Sequence, residues 1–129
     1  MLTEKTIIIV DDEFIILESL KIQINRIIQS HHKVEMASSG EEAINLINEL
    51  HQEGEHIALV ISDFNIDSFK GTDILLHAQE RYPDIKKIIL TGQADTKLIA
   101  DFDEKYGIDA ILGKPWDFGG IKSIIETIN

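Results

Sequence analysis

The sequence predicts a single α/β domain, residues 1–129, in which an open, doubly wound parallel sheet of five strands carries helices on both faces, a three-layer sandwich. Three observations lead there. Five short apolar blocks rich in β-branched residues recur along the 129 residues, segments of helical period lie between them, and the two alternate without interruption. The length suits one domain and leaves little room for a second core.

Thr6-Ile7-Ile8-Ile9-Val10 has no polar interruption, as expected of a strand buried on both faces in a parallel sheet. In Phe14, Ile15, Leu17, Leu20, Ile22, Ile24, Ile27 and Ile28 the helical period gives a wide apolar stripe for the first helix. Lys33–Ala37 reads as the second strand. The second helix carries Ala43, Ile44, Ile47 and Leu50, after a polar start in which Ser38 or Ser39 can cap and Glu41 and Glu42 meet the positive helix end. The third strand spans His56–Ser62. Its helix holds Ile74, Leu75, Leu76 and Ala78 and must stop near Tyr82, because Pro83 disfavours helical geometry in the residue before it. Lys86–Thr91 is the fourth strand, Leu98, Ile99 and Phe102 mark the fourth helix, Ile108–Leu112 is the fifth strand, and Ile121, Ile124, Ile125 and Ile128 mark the last helix. Right-handed crossovers turn this alternation into a doubly wound sheet, although alternation alone leaves strand order open.

Composition narrows the function classes. Hydrophobic residues at 43% and charged residues at 27%, with two prolines, describe a folded globule. A net charge of −11 repels phosphate backbones and anionic lipid heads, so neither direct nucleic-acid binding nor membrane binding is expected. The absence of cysteine removes disulfides, thiolate metal sites and thiol nucleophiles. The apolar run after Met1-Leu2-Thr3-Glu4-Lys5 is too short for a signal peptide or a membrane span, and a cytoplasmic protein is expected. No output domain is expected after the last helix, which leaves a stand-alone domain or one piece of a longer chain.

Ligands of open α/β sheets sit beyond the carboxyl ends of the strands. There the sequence places Asp11-Asp12-Glu13 after the first strand, Asp63 after the third, Thr91 after the fourth and Gly113-Lys114-Pro115 after the fifth. Converging carboxylates repel each other, and such a cluster persists when a hard cation such as Mg2+ neutralises it. Asp11, Asp12 and Asp63 are therefore the candidate metal ligands. Magnesium retains exchangeable positions that a phosphate oxygen can take; Lys114 adds a point charge and Thr91 a hydroxyl suited to the same group. With no partnered Ser or Cys nucleophile in evidence, a carboxylate acceptor is indicated, and Asp63, alone at its strand end, is the candidate.

In this pattern, Val10-Asp11-Asp12-Glu13, Asp63, Leu90-Thr91-Gly92 and Lys114-Pro115 in order at strand ends, the chain resembles the receiver domains of two-component response regulators over nearly its whole length. Each motif is weak by itself; the ordered set is specific. The resemblance implies a flavodoxin-like sheet of order 2-1-3-4-5 and phosphorelay signalling, in which Asp63 accepts a phosphoryl group from a sensor histidine kinase or phosphotransfer protein. It further implies that Asp12, Asp63 and the backbone carbonyl of Asn65 ligate magnesium, that Asp11 assists through water, and that Thr91 turns toward the new phosphoryl oxygens. Such a domain catalyses only its own modification and is not otherwise an enzyme. Its partners would include an unknown output domain or effector, with homodimers through a face of the fourth helix, fifth strand and fifth helix.

Several positions refine the resemblance. Ile111 stands where the family has a switching aromatic, so any switch must run through Thr91 and its loop or through aliphatic repacking. Asp67 stands where proline is frequent, which predicts a less rigid loop over 66–70 and extra negative charge near the site. Asn65 and Gln93 occupy places that influence phosphate loss in the family. Lys114-Pro115 is a candidate cis bond by the same resemblance.

Taken singly, the residues read more plainly. An Asp pair is usually a solvated turn, Thr-Gly a strand-to-loop junction and a lysine a surface charge. His31, His32, His51, His56 and His77 lack ligand spacing and read as surface residues, with no zinc site. Asp117-Phe118-Gly119 matches a kinase triplet by chance, and Asp117 is better read as a cap of the last helix. Trp116, Phe118 and Phe102 read as packing, with a contact face near the fourth and fifth helices as the alternative. A haloacid-dehalogenase-type phosphatase would need a second Asp where Asn65 stands. A flavin module would need a phosphate loop where two acids stand. A receiver-like interaction module that is never phosphorylated is the remaining alternative.

Overall fold

A computed structural model describes residues 3–92 and 96–129. Through them run β1 (Thr6–Val10), α1 (Phe14–Asn25), β2 (Lys33–Ala37), α2 (Gly40–Gln52), β3 (Ile57–Asp63), β4 (Asn65–Ile66), β5 (Phe69–Lys70), α3 (Gly71–Arg81), β6 (Lys86–Thr91), α4 (Thr96–Tyr106), β7 (Ala110–Gly113) and α5 (Gly119–Ile128). The main sheet has the order β2-β1-β3-β6-β7 with every pairing parallel. Counting its own strands alone, this is the expected order 2-1-3-4-5.

Successive residues of a strand point to opposite faces, so each central strand feeds two apolar layers. Ile7 and Ile9 join Leu17, Leu20, Ile24, Ile121 and Ile125 beneath α1 and α5. Ile8 and Val10 join Ala43, Ile47, Ile74, Leu75 and Phe102 beneath α2, α3 and α4. Unbroken apolar runs result only where both faces are covered, in β1 and β3 and through most of β6. The outer strands β2 and β7 are half-exposed instead, because each has a neighbour on one side only.

Helix α1 is shorter than its apolar pattern. It packs through Leu17, Leu20 and Ile24, one face at helical spacing, and leaves Phe14, Ile15 and Ile22 exposed. Eight apolar residues exceed what one packed face can cover; Ile27 and Ile28 follow in the turn and are half-buried. The Ser39 hydroxyl caps α2 by accepting from the Glu42 amide at 3.0 Å, and α3 ends at Arg81 as Pro83 requires. In α5 the N-cap position falls to Phe118, while Asp117 accepts from the Gly119 amide at 3.0 Å, so the aspartate braces the helix start from one residue earlier than a cap would. The fifth strand begins at Ala110, two residues later than expected.

His32 departs from the surface role read for it. It is 8% exposed, and its Nδ1 accepts from the Lys5 amide at 3.0 Å. Burial, then the neighbouring His31 and Lys5, hold its pKa below the ordinary value of about 6.5, with Glu4 opposing. The unfolded chain thus binds this proton more tightly than the folded one. Stability contributed by neutral His32 is present above about pH 6.5 and is lost as pH falls through the depressed folded pKa. In urea unfolding at pH 7.5 and 5.5, His32→Gln is expected to lose less stability on acidification than the wild type; equal losses would remove His32 from the pH response.

Candidate functional site

The carboxyl ends of β1, β3, β6 and β7 lie side by side at one rim of the sheet. Parallel register brings the chemistry together there: Val10 pairs with Ser62, Asp63 with Leu90, and Thr91 with Gly113. Asp11, Asp12 and Asp63 each offer a carboxylate oxygen, and these atoms lie within 4.8 Å of one another. The Lys114 Nζ reaches this group from the end of β7, at 2.7 Å from Asp11 Oδ2 and 3.3 Å from Asp63 Oδ1. Glu13 adds a looser contact to the same ammonium at 3.9 Å.

Backbone hydrogen bonds fix this rim. The Asp11 amide donates to the Ala37 carbonyl at 3.2 Å and the Lys114 amide to the Thr91 carbonyl at 3.1 Å, so β1 and β7 are each secured to a neighbour beyond the last ladder residue. The Glu13 amide donates to Asp11 Oδ1 at 2.8 Å, leaving the other oxygen to the ammonium. Thr91 ends β6, one strand over from Asp63. The Lys114-Pro115 bond is cis, as the resemblance implied. Gly71 is required at the start of α3, since a Cβ there would collide with the Asp63 carbonyl.

The electrostatics follow from burial in an acidic notch. Asp11 is fully buried and Asp63 is 8% exposed, whereas Asp12 is open to solvent. Burial pushes the Asp63 carboxyl above the usual range; Lys114 opposes this, and Asp11 and Asp12 reinforce it. For Lys114, burial works against the charge, but the hydrogen bond and charge of Asp11, followed by Asp63, outweigh it and raise the pKa. Three hard oxygen donors converging from two strands suit a small divalent cation, and their mutual repulsion supplies the reason to bind one. The chemistry of this donor set therefore fits magnesium, with Asp11, Asp12 and Asp63 as the side chains that would hold it.

Two features escaped the sequence reading. The loop after Asp63, expected to be less rigid, is a β-hairpin: β4 and β5 pair antiparallel, Asn65 with Lys70 and Ile66 with Phe69. Its turn residue Asp67 accepts from the Gly40 amide at 3.1 Å. The Asn65 side chain is also engaged, its Oδ1 accepting from Lys70 Nζ at 2.7 Å. Two-residue strands are too short for a periodic signal; the only cue was the pair of polar turn residues Asp67-Ser68 between Ile66 and Phe69. Gln93 lies outside the described residues. Ile111 is 45% exposed, on the face of β7 opposite Ala110 and Leu112. Trp116 packs in the α1/α5 layer, its indole N–H donating to Gln23 Oε1 at 3.0 Å, while Phe102 is buried on the opposite face.

An open five-stranded parallel sheet with an acidic notch and a lysine at its carboxyl rim defines a receiver-type fold. The family model for the response regulator receiver domain matches residues 7–126, and the chain belongs to that family, whose members serve phosphorelay signalling. Among solved structures it is similar to a response regulator receiver domain protein from Clostridium thermocellum, with a TM-score of 0.79 and 28% identity, covering 98% of this chain and 93% of that one. It is also similar to a CheY-like receiver domain protein from Methanospirillum hungatei, with a TM-score of 0.77 and 29% identity over 97% of this chain and 96% of the other. Curated relatives include the hydrogenase transcriptional regulatory protein HoxA of Cupriavidus necator, 27% identical over 88% of this chain and 22% of its own length. The sensor kinase CckA of Brucella abortus is 29% identical over 95% of this chain and 12% of its own length. The chain thus spans less than a quarter of the length of these two relatives.

Proposed function

We propose that this receiver accepts a phosphoryl group on Asp63 in a magnesium-dependent reaction and uses the resulting charge change to control a partner or output domain. The observation that carries this reading is the convergence of Asp11, Asp12 and Asp63 within 4.8 Å, with Lys114 contacting two of them. An Asp63 oxygen attacks phosphorus in line, the P–N bond of a phosphohistidine donor breaks, and its electron pair returns to the imidazole. The product is a mixed anhydride. Magnesium would neutralise charge on the phosphoryl oxygens; Asp12 and Asp63, with the Asn65 carbonyl, would hold it, and Asp11 would assist through water. Lys114 is placed to exchange its carboxylate contacts for a phosphoryl oxygen, and Thr91 supplies the hydroxyl that senses the new group.

The donor in this reading is a sensor histidine kinase or a phosphotransfer protein of the cytoplasm. Among the described residues no helix is long and apolar enough to cross a membrane. The charge of −11 argues against nucleic acid as a direct partner. Leu98 and Ile111, both 45% exposed, give the face of α4, β7 and α5 an apolar character suited to a homodimer or an effector. The domain acts as an enzyme only on itself. With Asn65 where a second Asp would be needed, the aspartyl-phosphatase alternative lacks its acid.

The test is labelling of the wild-type chain by acetyl phosphate with and without magnesium. Acid-labile labelling is expected only with the metal, and no labelling of a folded, magnesium-bound chain would favour an interaction module that is never phosphorylated. Binding also predicts a thermal signature. At magnesium a hundredfold above its dissociation constant the folded state gains about 2.7 kcal/mol. The melting temperature should rise accordingly, and Asp12→Ala should abolish the rise.

A further inference from the structure

The turn of the hairpin that follows Asp63 is built unlike an ordinary surface turn. Asp67 has φ +54°, in the left-handed region, where it is the only residue other than glycine among the described ones. An L side chain there costs about 1–2 kcal/mol, and Asp and Asn are among the few that visit it. What holds Asp67 in place is its carboxylate, which accepts from the Gly40 amide at 3.1 Å, 27 residues away in the chain. That amide belongs to the first turn of α2, where helical N–H groups have no partner inside the helix. A carboxylate at such a donor makes a charge-assisted bond. Beside it, the Phe69 side chain packs against Gly40, so closely that a Cβ on Gly40 would collide with it.

These contacts close a frame around the acidic notch. Asp67 lies four positions after Asp63, Gly40 three after Ala37, and the Ala37 carbonyl accepts from the Asp11 amide. The hairpin is braced at its other end by Lys70, whose Nζ lies 2.7 Å from Asn65 Oδ1 and 5.5 Å from the Phe64 ring centroid. We propose that Asp67 is a positioning residue, tying the acceptor hairpin to the start of α2 so that the two sides of the acidic notch are held at the spacing a divalent cation needs. The inference rests on the magnesium-dependent acceptor reading and adds to it a residue outside the notch. The hydrogen bond matters here, not the negative charge that Asp67 brings.

Two variants separate those roles. Asp67→Gly keeps the left-handed backbone without strain and removes the acceptor. Asp67→Asn keeps an oxygen acceptor, tolerates the same backbone and removes the charge. In calorimetric titration with magnesium chloride, Asp67→Gly is expected to bind about fivefold more weakly or worse, the low end of ordinary coupling between sites, and Asp67→Asn to stay within about twofold of wild type. Wild-type affinity in Asp67→Gly, or equal weakening in both variants, would overturn the proposal. Coupling is reciprocal, so the wild type supplies a second readout that does not depend on a variant folding. Magnesium should slow hydrogen exchange at the Gly40 amide, and unchanged exchange there would likewise overturn the clamp. If the wild type binds no magnesium, or Asp12→Ala binds it equally well, the acceptor-site reading itself fails, and the clamp falls with it.

Discussion

Asp63→Asn is expected to abolish acid-labile labelling by acetyl phosphate while leaving a folded domain. The carboxylate at this position is almost fully buried, is contacted by Lys114 at 3.3 Å, and has Asp11 and Asp12 close by. An amide of nearly the same shape keeps the packing but cannot form the anhydride. It also removes one of three like charges, so mutual repulsion in the notch falls and the metal-free variant should melt at or above the wild-type temperature. Magnesium should bind it more weakly for the loss of a charged ligand. Residual labelling at the wild-type level would move the acceptor to Asp11 or Asp12, and mass mapping of the labelled peptide would show which.

Lys114→Ala should have the second-largest effect, with opposite signs on its two readouts. The ammonium is the protein's own counterion for the buried Asp11 and the main influence opposing the rise in the Asp63 pKa. Removing one partner of a buried pair typically costs about 3–5 kcal/mol, so without metal the variant should be markedly less stable. Magnesium should restore much of that loss and should bind no more weakly than to wild type, because the competing ammonium is gone. Phosphoryl transfer, in contrast, should slow by about a hundredfold or more, the usual effect of deleting one preorganised charge from a transition state. Signalling should fail with it. Moving a switch from 1:99 to 99:1 takes about 5.5 kcal/mol of differential stabilisation, which in the proposed mechanism Lys114 and Thr91 must supply. Loss of magnesium affinity equal to that of Asp12→Ala would remove Lys114 from this role. The pH dependence carries its own sign. Because the folded pKa of Lys114 is raised, its stabilising contribution persists below the ordinary lysine range and disappears only as pH rises through the raised value. Lys114→Ala should lack that alkaline loss.

The frame around the notch joins these two experiments to the third. In the proposed reaction Asp63 and Lys114 act on the transferred group, whereas Asp67 does not touch it and holds the hairpin between Asp63 and α3. A defect in Asp67→Gly should therefore appear in magnesium affinity before it appears in the position of the label.

The strand and helix order was legible because each signal was local. The β-branched runs at residues 6–10 and 57–63, the capping serine before α2 and the proline after α3 each act within a few residues, so one sequence contains them whole. The rim residues were legible for a related reason: a parallel sheet brings the carboxyl ends of its strands to one side, and Asp11, Asp63, Thr91 and Lys114 follow strands that periodicity could mark. Other features depended on contacts far apart in the chain. Which of the eight apolar residues around α1 would be buried was settled by the face the sheet presents, which left Phe14, Ile15 and Ile22 in solvent. The burial of His32 arose from its meeting with Lys5, and the ordering of the loop after Asp63 from the amide of Gly40. Hydrophobic period and turn chemistry are properties of neighbouring residues, and they fixed the elements and the candidate acids. A hydrogen bond across 27 residues or a lysine shared between two carboxylates exists only after the strands have been set in order, and that the folded sheet alone decided.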